Sequence, residues 1–261
     1  MKRIALTLIF SLLLTAAAVA QDKPKADNGA KPETKADAKA AAMPTVDEIL
    51  DKHVKAVGGK EAIEKLTTRT SKGTIELEGM GMNGTVETFS KAPNKNAVVI
   101  TLSGFGTVNN VFDGSSGWSS DPMSGLRELS GGELAVLKRD SDFYSVLNLK
   151  KHFAKTELKG KEKVGSSDAW VIEATPAEGG PEKFYFDAAS GLLIRHDAER
   201  DSPQGKMAIE IYTDDYKPVD GVKIPHTMRQ VTPAFTLSIK LTEVKHNTPI
   251  DDAKFGKPSV Q

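Results

Sequence analysis

From Arg69 onward the apolar residues of this chain recur at every second position. Ile75 and Leu77 alternate with Glu76 and Glu78, Thr85-Val86-Glu87-Thr88-Phe89 alternates again, and 97–102 is strongly β-forming. Turn signals punctuate the runs at Met82-Asn83-Gly84, Pro93-Asn94 and Asp113-Gly114. Side chains that alternate along a strand line one face of a sheet, so this pattern predicts an antiparallel meander. The period breaks over 130–153, where Leu134, Val136, Leu137, Phe143, Val146, Leu147 and Leu149 stand at helical spacing and predict one or two helices. Strand patterns return over 156–164, 168–175, 182–187, 191–200, 206–216, 221–231 and 235–246. An order of helix, strands, helix, strands excludes a βαβ protein. It predicts an α+β fold: one large curved antiparallel sheet with helices against one face.

The first folded element is a helix near 46–57. Thr45 and Glu48 have capping-box spacing, so hydroxyl and carboxylate each satisfy a free N–H. Val46, Ile49, Leu50, Val54 and Val57 form its apolar stripe, and Gly58-Gly59 ends it. Residues 60–66 form a second helical turn. Upstream, 21–43 is dominated by Ala, Lys, Asp and Pro, with Met43 its only large apolar side chain, and is expected to be a disordered linker. Residues 1–20 have the three parts of a secretory signal: Lys2-Arg3, an apolar run, and Ala18-Val19-Ala20 as a small-x-small cleavage site. The expected division is therefore signal peptide 1–20, linker 21–43 and folded domain 44–261. The mature chain is expected to be soluble and periplasmic, with no transmembrane span.

There is no cysteine, which removes thiol catalysis, thiolate metal sites and lipidation at the cleavage site. Lys+Arg and Asp+Glu both number 35, and so even a balance argues against a nucleic-acid partner. The motifs that suggest chemistry have simpler readings. Gly79-Met80-Gly81-Met82-Asn83-Gly84 matches G-x-G-x-x-G, but a strand pattern follows where a dinucleotide site needs a helix, so it reads as a glycine-rich hairpin. Phe112-Asp113-Gly114-Ser115 reads as a turn, since no second such loop supplies a paired carboxylate. His53, His152, His196, His226 and His246 form no metal-binding pair, and no G-x-S-x-G elbow is present. The expectation is a protein that is not an enzyme, with no catalytic residue, metal or cofactor.

Binding candidates come from alternation. Phe184 and Phe186 share a face opposite Tyr185, Trp170 and Ile172 alternate with Val171 and Glu173, and Leu192 and Ile194 alternate with Leu193 and Arg195. Trp170, Ile172, Phe184, Phe186, Leu192 and Ile194 are the set expected to line an apolar cavity on the inner face.

The segment Ala56-Val57-Gly58-Gly59 with Ala62-Ile63, Phe112-Asp113-Gly114 with Trp118, Phe184-Tyr185-Phe186-Asp187 with Ser190-Gly191-Leu192, and Val219-Asp220-Gly221-Val222 with Ile224-Pro225 together resemble a family of exported bacterial proteins. That family is described as outer-membrane lipoprotein-sorting-like and is related to the periplasmic carriers of the Lol system. The resemblance spans roughly 46–258. It implies an incomplete barrel of about eleven antiparallel strands, lidded by helices, whose apolar interior receives acyl chains of lipoproteins. No ligand-contacting residue of the carriers matches position by position. Two readings follow: a carrier for a lipidated or other hydrophobic ligand, or a non-enzymatic envelope-assembly module with a filled core and an envelope protein as partner.

Overall fold

The computed structural model describes residues 43–202 and 205–259. The signal peptide expected at 1–20 lies outside the described residues, as does the linker up to residue 42.

Thirteen antiparallel strands form one sheet. They are β1 (Thr68–Glu78), β2 (Met82–Lys91), β3 (Lys95–Leu102), β4 (Gly106–Phe112), β5 (Gly117–Asp121), β6 (Gly125–Glu128), β7 (Lys155–Val164), β8 (Ser167–Thr175), β9 (Glu182–Asp187), β10 (Leu193–Ser202), β11 (Gly205–Val219), β12 (Val222–Val231) and β13 (Thr236–His246). The helices are α1 (Val46–Ala56), α2 (Lys60–Glu64), α3 (Gly131–Asp140) and α4 (Ser145–Asn148), with short 3-10 turns at Leu149–His152 and Asp252–Phe255.

The strand order is β6-β5-β4-β3-β2-β1-β13-β12-β11-β10-β9-β8-β7. The chain starts in the middle of the sheet and steps outward to β6. It then crosses to the opposite edge and steps back until β13 pairs with β1. Every link is between neighbours except the one from β6 to β7, and that link carries α3 and α4. The topology thus sends these two helices across one face of the sheet. Because β6 and β7 do not pair, the sheet stays open. Thirteen strands exceed the eleven that the resemblance implied. The short β5 and β6 carry too little alternation to be read as strands from sequence.

Local chemistry sets the helix ends. The Glu48 carboxylate accepts from the Thr45 N–H at 2.7 Å, and the Glu48 N–H donates to Thr45 Oγ1 at 3.2 Å. The capping box at α1 is as expected. On its inner side Ile49 packs with Ile172, Ala174, Phe184 and Phe186, and Val46 and Leu50 border them. Val57, Ile63 and Leu66 pack with Val222 and Ile224, and residues of α4 join from the other side.

One turn signal is misplaced. The β1–β2 turn lies at Gly79-Met80-Gly81, while Asn83 and Gly84 already belong to β2. Gly84 is needed for close approach: a Cβ there would stand 1.8 Å from the Thr101 carbonyl oxygen. The glycine-rich segment is a hairpin, and Asp113 closes a turn by accepting from the Ser115 and Ser116 N–H groups at 2.7 and 2.8 Å.

Candidate functional site

Cross-strand pairing orders the helix-covered inner face into rows. Val86, Ile100 and Val108 face one another across β2, β3 and β4. One step along, Thr88, Val98 and Asn110 do the same, and Ser119 of β5 follows Asn110. Over these rows lies α3, with Val136 and Leu137 facing the sheet. Gly117 makes room for that roof: a Cβ there would stand 2.7 Å from Leu137 Cδ2 and 3.1 Å from Leu134 Cδ1. Between roof and floor is a cavity of about 350 Å³. Its far wall includes Met228 and Ile239, and the loop at Pro176, Glu178 and Gly179 closes one end.

The roof is tied down by ion pairs. Arg127 makes a bidentate pair with Glu133 of α3, both bonds at 2.7 Å. At the other end of α3, Arg139 donates to Glu182, whose side chain is 3 % exposed. Glu182 also accepts from Arg200 Nη1 at 2.8 Å and pairs with His196 Nε2 at 2.7 Å. The His196 ring stacks on Phe184 at 4.3 Å. Burial pushes the Glu182 carboxyl toward its neutral form, but the hydrogen bond with His196 and the charges of Arg200 and Arg139 outweigh it and hold the pKa at about 2. Asp140, next along, keeps 50 % of its side-chain surface, and that surface borders the cavity. Surrounding protein withholds bulk water and raises its pKa against the pull of Arg200 and Arg139.

None of the six residues expected from alternation lines this cavity. Trp170, Ile172, Phe184 and Phe186 lie on the helix-covered face, but in the part filled by α1, Leu149 and Phe153. Ile172 and Phe186 are 0 % and 1 % exposed. Trp170 and Phe186 also border a more open depression of about 400 Å³ beside α1, with Lys52 and Gly191. Leu192 packs among Val57, Ile63 and Leu66. Ile194 is on the opposite face, beside Val171 and Tyr185. A β-bulge explains this correction. Leu193 pairs with Phe186 and Arg195 with Tyr185, so Ile194 is the extra residue and the alternation slips by one. Leu193 takes the inner position expected of Ile194.

The cavity residues Val98, Ile100, Asn110 and Val136 escaped the sequence reading. A signal was present in Val108-Asn109-Asn110-Val111. Asparagine is disfavoured in strands, so a pair of them in a β-forming run asks for a reason.

Among the described residues, no helix is long and apolar enough to cross a membrane. No family model matches the sequence, and no curated protein does. Solved structures do resemble it. A DUF1329 family protein from Desulfovibrio piger superposes with a TM-score of 0.55 at 16 % identity, over 83 % of this chain and 99 % of the other. A LolA superfamily protein from Nitrosomonas europaea gives 0.55 at 14 % identity, over 82 % and 99 %. A domain from Vibrio parahaemolyticus described as an outer membrane lipoprotein-sorting protein gives 0.52 at 12 % identity, over 80 % and 95 %. The chain has the LolA-like fold.

Proposed function

We propose that this chain is an exported, non-enzymatic carrier or binding protein of the cell envelope for a hydrophobic ligand, such as the acyl chain of a lipidated partner. The observation that supports it is the cavity of about 350 Å³ between α3 and the apolar rows of the sheet. That volume falls within the range of about 300–1,000 Å³ typical of small-ligand sites. The LolA-like fold and the sequence of residues 1–20 agree with such a role in the periplasm. Burying about ten methylenes at about 0.8 kcal/mol each offers roughly 8 kcal/mol, so affinity should be micromolar at best. A carrier must also release its cargo.

The test uses protein recovered from the periplasm, with an intact mass beginning at Gln21. After delipidation it is titrated with a fluorescent hydrophobic probe. Saturable micromolar binding is the expected outcome. Folded protein that binds no probe removes the carrier reading. The envelope-assembly module would then stand, and the filled half of the sheet around Ile172 and Phe186 is the observation in its favour.

A further inference from the structure

The apolar floor of the cavity is interrupted by a polar group without a partner. Asn110 is 8 % exposed and lines the cavity. Among the described residues none hydrogen-bonds its carboxamide. Its neighbour Asn109 alternates to the other face, and there its Nδ2 donates to Ser120 Oγ at 3.1 Å. The same side chain is thus satisfied on one face and left open on the face that holds the cavity. A carboxamide carries two donors and an acceptor, and here they open onto the cavity, where water or a ligand group can meet them. Two further groups stand at the same space. Thr88 shares Asn110's row, with Val98 between them. Ser141, just past α3, also lines the cavity, and its buried hydroxyl has no partner among the described residues.

The walls of the cavity set the charge of a group that would meet Asn110. Every cation lining the cavity faces a carboxylate: Arg127 faces Glu133, Arg139 and Arg200 face Glu182, and Lys206 faces Glu199 at 3.8 Å. Glu178 adds negative charge. An anionic head would enter without a counter-ion, and a quaternary ammonium head would offer Asn110 neither a donor nor an acceptor. An uncharged hydroxyl, ester or amide meets the carboxamide at no electrostatic penalty. The volume of about 350 Å³ lies near the small end for ligand sites, which suits one chain better than several.

We propose that the cavity takes a single-chain amphiphile with an uncharged polar end, and that Asn110 hydrogen-bonds that end. This rests on the ligand-binding reading above and specifies its ligand class.

The experiment is competition. The wild-type chain is loaded with N-phenyl-1-naphthylamine, an apolar fluorescent probe. Displacement is then measured with dodecan-1-ol, dodecanoate and dodecyltrimethylammonium at pH 8. The alcohol should compete at least about tenfold better than either ion. Asn110→Leu is close in size and removes the unpaired group, so its unfolding midpoint should hold or rise. It should lose about tenfold in affinity for the alcohol while keeping its affinity for the probe. Asn110→Ser, which retains a hydroxyl, should fall between and serves if the leucine variant does not fold. Ions that compete as well as the alcohol would overturn the proposal. So would an equal loss for probe and alcohol, which would make Asn110 a residue of cavity shape alone. Failure of the wild-type chain to bind the probe is a different result, because it removes the binding function itself.

Discussion

A carboxylate that is 3 % exposed and still ionised is a demanding arrangement, and Glu182 shows what supports one. Arg139 comes from α3, Arg200 and His196 from β10, so a single side chain ties the roof to the sheet. Its pKa is held near 2, below the ordinary 4.5. The unfolded chain therefore takes up a proton before the folded one does. The resulting stability is fully present above about pH 4.5 and is lost as pH falls toward 2; its size is roughly 3 kcal/mol. Denaturant unfolding followed from pH 7 to pH 3 should show this loss. Glu182→Gln should be less stable at pH 7 by about 3–5 kcal/mol, because it leaves two buried guanidinium groups without their anion. A flatter acid profile in that variant is also expected. A wild-type profile that is flat over this window, or a Glu182→Gln variant as stable as wild type, would count against the ionic tie. None of this network could be read from the sequence, since Arg139, Glu182, His196 and Arg200 meet only after the sheet has formed. The case of Ile194 differs in kind. Alternation named the right strand and the right pair of faces, but one inserted residue reversed the answer.

At the scale of elements, what could be read depended on how regular each segment is. The seven strands after 153 agree with the structure to within a few residues, and the Thr45–Glu48 box marks the start of α1. The elements missed are those with little side-chain pattern of their own: β4, β5, β6 and the sheet edge that receives α3. There the placement is decided by glycine contacts that a period-2 pattern does not contain. Two glycine contacts, one in β2 and one in β5, make a graded prediction. At Gly84 an added Cβ meets a carbonyl of the neighbouring strand at 1.8 Å, and a backbone atom in a ladder cannot yield. At Gly117 it meets the far end of the Leu137 side chain at 2.7 Å, which can rotate away. Gly84→Ala should therefore destabilise by about 2 kcal/mol or more, and Gly117→Ala by about 1 kcal/mol or less, measured by urea unfolding. Equal losses would show that the β2–β3 approach is softer than its geometry implies. Gly117→Ala should also weaken probe binding, since it moves the roof.

Across the whole molecule, the sheet is covered in two unlike ways. Under α1 it is filled, with Ile49 and His53 buried and the ring of His53 5.0 Å from that of Phe186. Under α3 it is hollow, and no residue of α3 is buried. The two helices are also held differently: opening α1 exposes apolar core, whereas opening α3 exposes little but must break Arg127–Glu133 and Arg139–Glu182. That difference predicts where a ligand acts. Amides that exchange only by global unfolding all gain the same protection on binding, about 2.7 kcal/mol at a hundredfold excess over Kd, and carry no positional information. Amides that exchange by local opening report position. In α3 and at the edge formed by β4 and β5, such exchange should slow when the probe binds. In α1 and β9 it should not change, because the space beneath α1 is already occupied by Phe184 and Phe186. Hydrogen exchange with and without N-phenyl-1-naphthylamine separates the two outcomes. Protection confined to α1 and β9 would move the site to the depression beside Trp170 and Phe186. Protection confined to α3 and the β4–β5 edge would make the hollow half the working half, with the filled half as its frame.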